Sequence, residues 1–285
     1  MNIKKMFRML FKRKTALIGF IILVIVISTA LLAPLIAPYD PNASSLKKRL
    51  LPPSWEKGGS KEHFLGTDPQ GRDILSRIIF GTRVSLLVGI VTVLIAGTIG
   101  TFLGLLAGYY RGTVDNIIMR LAEIQLAFPF ILLALAIMAV LGAGLKNVII
   151  VLSITGWVIY SRLVRGEVLL LRELEYVKAA KALGQKDLKI MVKHILPNIL
   201  PTIIVVGTLR VANMIIAESS LTFLGLGVES GIPTWGSMLA DGRDYITNAW
   251  WVATFPGIAI MVTVLGINLL GDWLRDVLDP RMKSY

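Results

Sequence analysis

The sequence has 285 residues, of which 55% are hydrophobic and 17% are charged, and its mean hydropathy is +0.71. A chain this apolar is not an ordinary soluble domain, and we expect a membrane protein surrounded by lipid. The formal net charge of +12 does not indicate a nucleic-acid partner, because basic residues in membrane proteins collect on cytoplasmic loops. The chain has no cysteine and only two histidines, His63 and His194, far apart in sequence. Disulfides and thiolate metal sites are therefore excluded, and a histidine metal centre is not expected.

A transmembrane helix needs about 20 apolar residues, and six stretches of the sequence reach or approach that length. They are residues 15–39, 84–110, 124–145, 147–164, 195–217 and 245–271. The first follows six basic residues, as in a secretory signal, but its apolar run exceeds the roughly 7 to 15 residues of a signal core. We therefore predict that it is retained as a helix. The predicted fold class is an all-α polytopic membrane protein with about six transmembrane helices.

The distribution of lysine and arginine predicts the orientation of these helices. Six basic residues lie within residues 1–14, and eight more lie around the connection between the fourth and fifth stretches. Those eight are Arg162, Arg165, Arg172, Lys178, Lys181, Lys186, Lys189 and Lys193. Both regions should be cytoplasmic, which places both chain termini on the cytoplasmic side. Residues 40–83 would then be extracytoplasmic, although they also carry eight basic residues.

The connection between the fourth and fifth stretches contains the amphipathic sequence EYVKAAKALGQKDLKIMVKHILPN, residues 175–198. Its first half has apolar residues at helical spacing, opposite basic ones. The apolar positions are Tyr176, Ala179, Ala180 and Leu183, and the basic ones are Lys178 and Lys181. Gly184 follows where a helix C-cap requires a residue that tolerates positive φ. The pattern predicts a short helix that ends at this glycine.

A second helix is predicted after Gly184, with Asp187 as its N-cap and Pro197 at the point where the chain re-enters the membrane. The whole segment is thus interpreted as a helix-turn-helix on the cytoplasmic face. Periodicity alone leaves two interpretations open: a helix that lies on anionic lipid, and a docking helix for a cytoplasmic partner. The small residues Ala179 and Ala180 beside the glycine favour docking, because close backbone approach requires small side chains.

Two further segments are predicted to lie at the outer membrane interface. One face of a short helix is formed by Ile74, Leu75, Ile78 and Ile79. Asp73 and Arg77 stand four residues apart on its other face, a spacing that favours an ion pair. Before the last span, Trp250 and Trp251 are typical of an interfacial aromatic belt.

The segment from residue 178 to residue 197 resembles the cytoplasmic loop of the permease subunits of bacterial ABC importers. That loop carries Glu-Ala-Ala, three residues, Gly, nine residues, and then Ile-x-Leu-Pro. The matching positions are Ala179, Ala180, Gly184, Leu196 and Pro197. Lys178 stands where Glu is usual, and His194 stands where Ile is usual.

Three longer stretches are similar to one branch of these permeases, the dipeptide, oligopeptide and nickel importers. They are FLGTDPQGRDILSRIIFGTRVSLLVG at residues 64–89, AESSLTFLGLGVESGIPTWGSMLADGRDY at residues 217–245, and LLGDWLRDVLDPRMK at residues 269–283. The last resembles the closing segment of the second permease subunit in that branch. Together the matches cover most of the chain.

The resemblance implies a type I ABC importer permease fold, with no catalytic residue and no cofactor bound by this chain. The subunit would pair with a sister permease, two cytoplasmic ATPases would hydrolyse ATP, and an extracytoplasmic binding protein would deliver a peptide. Coupling to the ATPases would fall to Lys178, Ala179, Ala180, Lys181, Gly184, Leu196 and Pro197. The implied location is the bacterial inner membrane.

The expected domain organisation has four parts. A cytoplasmic basic arm (residues 1–14) precedes the first transmembrane helix (15–39) and an extracytoplasmic segment with an interfacial helix (40–83). A transmembrane permease domain follows (84–285), with its cytoplasmic coupling loop at residues 165–194.

The candidate pore residues are Arg210, Asn213 and Glu218, in or beside the fifth span. A charge at membrane depth costs several kcal/mol unless it is paired or hydrated. Arg210 should therefore either extend toward the outer interface or line the translocation path. On the path, it would meet a peptide carboxylate or neutralise Glu218.

Two alternatives remain open at this stage. Within the resemblance, the solute could be nickel or a nickel chelate. In a different class, the protein would be a secondary transporter or channel that needs no ATPase, for which intramembrane acids usually supply ion coupling. Glu123 and Glu218 are the only glutamate candidates, and both lie near span ends. The sequence has no G-x-x-x-x-G-K-[ST] phosphate loop, so ATP hydrolysis has to come from a partner.

Overall fold

A computed structural model describes residues 9–11, 13–229 and 231–278 of the chain. Lys4, Lys5, Arg8 and Lys12 of the basic arm lie outside the described residues, as does the end of the closing segment up to Lys283. The described chain is almost entirely helical, and within these ranges there is no β-strand, only one isolated bridge between Thr67 and Asp73. The all-α prediction is therefore confirmed.

Ten α-helices make up the described fold. They are α1 (Lys14–Ile36), α2 (Ile74–Tyr110), α3 (Gly112–Leu126), α4 (Phe130–Leu141), α5 (Leu145–Leu171), α6 (Glu175–Ala182), α7 (Asp187–Ile190), α8 (Leu196–Phe223), α9 (Trp235–Gly242) and α10 (Trp251–Leu278). A π-helical turn, Met191–Ile195, joins α7 to α8 without a break. Short 3₁₀ turns lie at Leu46–Lys48 and Arg243–Tyr245.

Within the described ranges, five helical segments are long and apolar enough to cross a membrane: α1, α2, α5, the continuous run from α7 to α8, and α10. Helices α3 and α4 meet that criterion only as a pair, and they are bent by 88° at the break between them. The span predicted over residues 124–145 is therefore not one helix but parts of two, with a break between them. Pro129 explains the break, because proline disfavours helical geometry in the preceding residue and supplies no amide. If the bent pair counts as one span, the total is the predicted six.

Helix α2 begins earlier than the sequence suggested. The predicted interfacial helix at residues 74–79 is not separate, because α2 runs without interruption from Ile74 for 37 residues. The Asp73 carboxylate caps the helix by accepting a hydrogen bond from the Ser76 amide at 2.8 Å. The predicted Asp73–Arg77 ion pair is wrong, since Arg77 instead pairs with Asp68 and Asp241.

Helices α2 and α5 pack closely along a row of small residues at every fourth position of α2: Ala96, Gly100, Gly104 and Gly108. A Cβ atom on Gly104 would lie 2.6 Å from the Ser161 carbonyl oxygen, and one on Gly108 would lie 2.7 Å from Val168 Cβ. These distances leave no room for a side chain. The two helix backbones are therefore in near contact, as in small-residue packing of membrane helices.

Helix α1 packs against α10 through a second glycine contact. A Cβ on Gly19 would lie 2.8 Å from Leu269 Cβ, and one on Gly266 would lie 2.6 Å from Ile22 Cγ2. Arg13 forms an ion pair with Asp276 at the end of this contact. Helix α10 in turn contacts α8, where a Cβ on Gly271 would lie 2.6 Å from Leu209 Cδ2. The first helix thus joins the remaining spans through α10.

The segment between α1 and α2 folds against α9 and the start of α10 through buried ion pairs. Arg72 donates to Asp241 at 2.7 Å, and Arg77 donates to the same carboxylate at 3.0 Å and also to Asp68. Trp251 is buried, and its indole N–H donates to the Thr67 carbonyl at 3.2 Å. The prediction that Trp251 belongs to an interfacial belt is therefore wrong.

Candidate functional site: a basic hairpin and the Arg210 cavity

The predicted coupling segment folds as a hairpin of α6 and α7, which we call the basic hairpin (residues 172–196). Gly184 has φ +75°, the left-handed geometry expected of a residue just past a helix end. Asp187 is not the N-cap of the second helix, contrary to the prediction, because it is the first helical residue and Lys186 occupies the N-cap position. Instead, the Asp187 carboxylate accepts a hydrogen bond from the Tyr109 hydroxyl at 2.7 Å.

The second half of the hairpin is not an independent short helix. It continues through the π turn Met191–Ile195 into α8, where Pro197 occupies the first turn. Proline fits there because it supplies no amide for the preceding turn and forces a local change of hydrogen-bond pattern. The second arm of the hairpin is therefore helically continuous with α8.

The inner side of the basic hairpin is anchored in a hydrophobic cluster. Its buried members are Val177, Ile190, Met191 and Ile195 from the hairpin, and Leu105, Tyr109, Val164, Val168 and Ile199 from α2, α5 and α8. The Arg172 guanidinium also donates to the Tyr109 carbonyl. Tyr109 thus contacts both arms of the hairpin, through its carbonyl and through its hydroxyl.

The outer side of the hairpin presents apolar and basic groups to solvent. Leu183 is 88% exposed and Leu188 is 67% exposed, and Tyr176 is exposed as well. Within the predicted apolar face only Ala180 is partly covered, and the residue that packs inward is Val177. Lys178 and Lys181 are exposed. The hairpin therefore has a packed face and a separate apolar and basic face.

A network of charges fixes the start of the hairpin. The Glu173 carboxylate accepts from Arg111 at 2.9 Å and lies 3.1 Å from Lys178 Nζ. The hydrogen bond and the positive charge of Lys178 lower the pKa of Glu173 below its usual range. The carboxylate is consequently charged at neutral pH, and the network is lost only as the pH falls through that lowered value.

A cavity of about 550 Å³ lies between α3, α4, α5 and α8. Arg210 and Asn213 both line it, one helical turn apart on α8, together with apolar side chains such as Phe128, Phe130 and Ile159. Glu218 lies elsewhere, fully buried, and accepts hydrogen bonds from hydroxyl groups on α2 and α8. Those donors are Thr222 at 2.9 Å and Ser85 and Ser219 at 3.4 Å.

The three candidate pore residues are thus not all brought together. In the described chain, no ion pair within 4.0 Å joins Arg210 to Glu218. The expectation that Arg210 neutralises Glu218 is therefore wrong. Glu218 instead links α8 to α2, and Thr222 extends that link by accepting from the Val228 amide at 3.3 Å.

The wall of the cavity formed by α3 is held by two polar contacts that the sequence did not suggest. Gln125 accepts from the Trp157 indole N–H at 2.9 Å and donates to the Thr155 carbonyl at 2.7 Å. Nearer the other end of α3, Asp115 accepts two hydrogen bonds from Arg165. The partners are 30 to 50 residues apart in sequence, so no local pattern indicates these pairs.

Within the described ranges, no group of three or more His, Cys, Asp or Glu side chains could hold a metal ion. The residues that stand out are those of the basic hairpin and the Arg210 cavity. The hairpin and the cavity lie on one helical bundle, and α8 takes part in both.

Comparison with known proteins gives the family. Residues 100–284 match the binding-protein-dependent transport system inner membrane component, and residues 3–53 match the N-terminal transmembrane domain of oligopeptide transport permease C. The chain belongs to this family of inner-membrane transport components, and it is a permease and not an enzyme. The family match also favours an importer over a channel that works without an ATPase.

Named relatives share nearly the whole chain. The dipeptide transport system permease protein DppC of Alkalihalophilus pseudofirmus is 47% identical, over 99% of this chain and 90% of that protein. The di/tripeptide transport system permease protein DppC of Pseudomonas aeruginosa is 46% identical, over 95% and 89%. The glutathione transport system permease protein GsiD of Pectobacterium atrosepticum is 43% identical, over 99% and 92%.

A solved structure shows the same fold. A chain of the MetNI methionine ABC transporter, in inward-facing conformations, superimposes with a TM-score of 0.59. The match covers 71% of this chain and 96% of that one, at 19% sequence identity. The likeness therefore supports the ABC permease fold and nothing about the solute.

Proposed function

We propose that this chain forms half of the translocation pore of an ATP-driven importer of di- or oligopeptides. The observation that carries the proposal is the 47% identity, over 99% of the chain, to a dipeptide transport permease. The relatives reported above are named for dipeptides, di/tripeptides and glutathione, so we propose a peptide in preference to nickel or a nickel chelate.

In the proposed assembly, a sister permease completes the pore as a heterodimer and an extracytoplasmic binding protein delivers the peptide. Two cytoplasmic ATPases bind and hydrolyse ATP, and one of them docks on the basic hairpin. The exposed Leu183 and Leu188 would enter the docking surface of that ATPase, while Lys178 and Lys181 would contact its acidic groups. The candidate coupling residues Ala179, Ala180, Gly184, Leu196 and Pro197 would shape the turn and its junction with α8.

The geometry of the hairpin supports this role physically. A docking element transmits motion only if it is rigidly attached to the helices that must move. Here the packed face is buried against α2 and α5, and the second arm is continuous with α8 through the π turn. Movement of a docked ATPase would therefore reach the helix that carries the Arg210 cavity.

We propose that the protein lies in the bacterial inner membrane with both termini and the basic hairpin on the cytoplasmic side. The positive-inside rule supports this orientation for the hairpin, which has a high density of lysine and arginine. The segment between α1 and α2, the start of α9 and the start of α10 would then face outward, where a binding protein docks.

The proposal is tested by purifying the detergent-solubilised importer with Gly184→Pro in this subunit, scoring co-purified ATPase and ATP hydrolysis, and measuring peptide uptake after reconstitution into proteoliposomes. Proline cannot adopt the positive φ of Gly184, so the turn must distort. The matched control is Gly142→Pro, which also replaces a glycine of positive φ with open space around it but lies at the opposite end of α5.

We expect wild type and the Gly142→Pro control to retain active ATPases. The Gly184→Pro variant should lose them, or keep them without peptide transport. If the wild-type importer brings down no ATPase under conditions that preserve the complex, the proposed function is wrong. If Gly184→Pro behaves as the control does, the basic hairpin is not the coupling site.

A further inference from the structure

We propose that Arg210 binds the C-terminal carboxylate of the peptide in transit, with Asn213 as a second polar contact. This inference rests on the proposed function and specifies what the pore recognises. The guanidinium would hold the one anionic group that every linear peptide carries, and the apolar cavity walls would accept the variable side chains.

The position of Arg210 is the first argument. The residue lies near the middle of α8, about 20 Å from either end of that helix at roughly 1.5 Å per residue. It is only partly exposed, and it lines the cavity between α3, α4, α5 and α8. A positive charge at this depth is therefore placed beside a space that a solute can enter.

The second argument is that Arg210 has no acidic partner in the described part of the chain. Three other arginines that are at least partly buried are paired: Arg72 and Arg77 with Asp68 and Asp241, and Arg165 with Asp115. Arg210 forms no ion pair within 4.0 Å among the described residues, although a charge at membrane depth is costly unless it is paired or hydrated. The cavity is consequently the place where water or an anion meets this guanidinium.

The polar groups that line the cavity differ in whether they already form hydrogen bonds within the described protein. Both ends of the Gln125 amide are used, by Trp157 and by the Thr155 carbonyl, and the Ser220 hydroxyl donates to the Ile216 carbonyl at 2.8 Å. Asn213 is exposed and its amide makes no hydrogen bond to another described residue. Arg210 and Asn213 are thus the groups that remain for a ligand.

Chemistry then selects the ligand group. A guanidinium offers a planar fork of N–H donors that matches a carboxylate with two parallel hydrogen bonds. An importer that accepts peptides of differing sequence needs a contact with a group they all share, and the terminal carboxylate is such a group. The aromatic and aliphatic walls, including Phe128, Phe130 and Met214, impose shape but little sequence preference.

The test compares a dipeptide with its C-terminal amide in proteoliposomes that contain the complete importer and its binding protein. The probes are radiolabelled dialanine and dialaninamide, each supplied at a concentration that saturates uptake. The uptake ratio of acid to amide is measured for wild type, Arg210→Gln and Arg210→Lys. Any preference of the binding protein is the same in all three and cancels when the ratios are compared.

We expect the ratio in wild type to exceed that in Arg210→Gln by about tenfold to a hundredfold, the range of a lost hydrogen bond to a charged group. Arg210→Lys, which keeps the charge but not the fork, should give an intermediate ratio. The control Arg83→Gln removes an exposed arginine of α2 that forms no ion pair with another described residue, and it should leave the ratio unchanged.

The proposal is overturned if the ratio is the same in wild type and in both Arg210 variants, including the case in which Arg210 pairs with an acid of the sister subunit. Should Arg210→Gln fail to assemble, the ratio in Arg210→Lys decides, because that variant retains the positive charge. If wild type takes up neither probe while the assembled complex hydrolyses ATP, the proposed peptide function fails instead.

Discussion

Tyr109 joins the basic hairpin to α2 through two separate groups. Its carbonyl accepts from Arg172 at the beginning of the hairpin, and its hydroxyl donates to Asp187 at the start of the second arm. The neighbouring Tyr110 is exposed and takes no part in these contacts. The adjacent tyrosines therefore have different roles, and the helix rotation between them decides which one holds the hairpin.

Tyr109→Phe should reduce the number of peptides imported per ATP hydrolysed. The change removes a single hydrogen bond to a charged acceptor, worth roughly 1.5 to 3 kcal/mol, while the ring still packs in the cluster. The hairpin would then move partly independently of α2 when the ATPases close. The measurement is the ratio of uptake to ATP hydrolysis in proteoliposomes.

Tyr110→Phe is the matched control for this prediction, since it removes the same hydroxyl from an exposed position. Its ratio of uptake to ATP hydrolysis should equal that of wild type. An unchanged ratio in Tyr109→Phe would mean that the buried apolar contacts alone couple the hairpin.

At the scale of helices, the crossing of α2 and α5 depends on three glycines of α2. Gly100, Gly104 and Gly108 recur every four residues, the spacing of small-residue contacts between membrane helices. Their missing side chains let α5 approach until its carbonyl groups and Cβ atoms lie against α2. The crossing places Tyr160 and the hydrophobic cluster that anchors the basic hairpin against the same face of α2.

Gly104→Val should destabilise the protein by about 1 to 3 kcal/mol, because the added side chain must displace the α5 backbone. A Cβ there already lies 2.6 Å from the Ser161 carbonyl oxygen and 2.8 Å from Val164 Cβ. The measurement is the thermal unfolding midpoint of the purified protein in detergent, which should fall.

Gly166→Ala serves as the control on the partner helix. A Cβ at Gly166 has no atom within 4 Å, so alanine fits and gains helix propensity of about 0.5 to 1 kcal/mol. Its midpoint should stay the same or rise. If Gly104→Val matches this control, the α2 and α5 backbones are not in near contact.

The sequence was informative about helices and much less so about their contacts. Long apolar runs predicted nearly all spans, because the thickness of the bilayer sets their length. The break before Pro129 was missed because apolar content continues across it, and the start of α2 was missed because its first turns carry charged residues. Asp115 and Arg165, 50 residues apart, pair only because α3 and α5 meet in the folded chain.

In the candidate site too, some features could be predicted from the sequence and others could not. Gly184 and Pro197 were located from local spacing, since a positive φ and a missing amide are properties of single residues. The environment of Arg210 and of Glu218 was not predictable, because it depends on which face of α8 meets α2 and which face meets the cavity. The predicted ion pair between Arg210 and Glu218 rested only on their positions along α8.

At the scale of the whole molecule, some basic residues are buried in ion pairs and others are exposed. At the end that carries the segment between α1 and α2, Arg72 and Arg77 are buried in pairs with Asp68 and Asp241. At the other end, the lysines of the basic hairpin are exposed. Two of the eight basic residues in the predicted extracytoplasmic segment, residues 40–83, thus stabilise the fold through ion pairs.

Single-cysteine labelling tests the proposed topology directly. The chain has no cysteine, so all maleimide labelling of this subunit comes from the one cysteine that is introduced. Leu183→Cys replaces a side chain that is 88% exposed at the tip of the hairpin, and Trp55→Cys replaces one that is 55% exposed between α1 and α2. In cells whose outer envelope has been made permeable while the inner membrane stays intact, a membrane-impermeant maleimide should label only the cysteine at position 55.

Inverted membrane vesicles should give the reverse pattern, with labelling only at position 183. Because the two positions lie at opposite ends of the bundle, each serves as the control for the other's accessibility. Labelling of position 183 in intact cells together with position 55 in inverted vesicles would reverse the topology and remove the ATPases from the hairpin. Labelling of both positions from the same side would contradict the six-span count, which places three crossings between them: α2, the bent pair of α3 and α4, and α5.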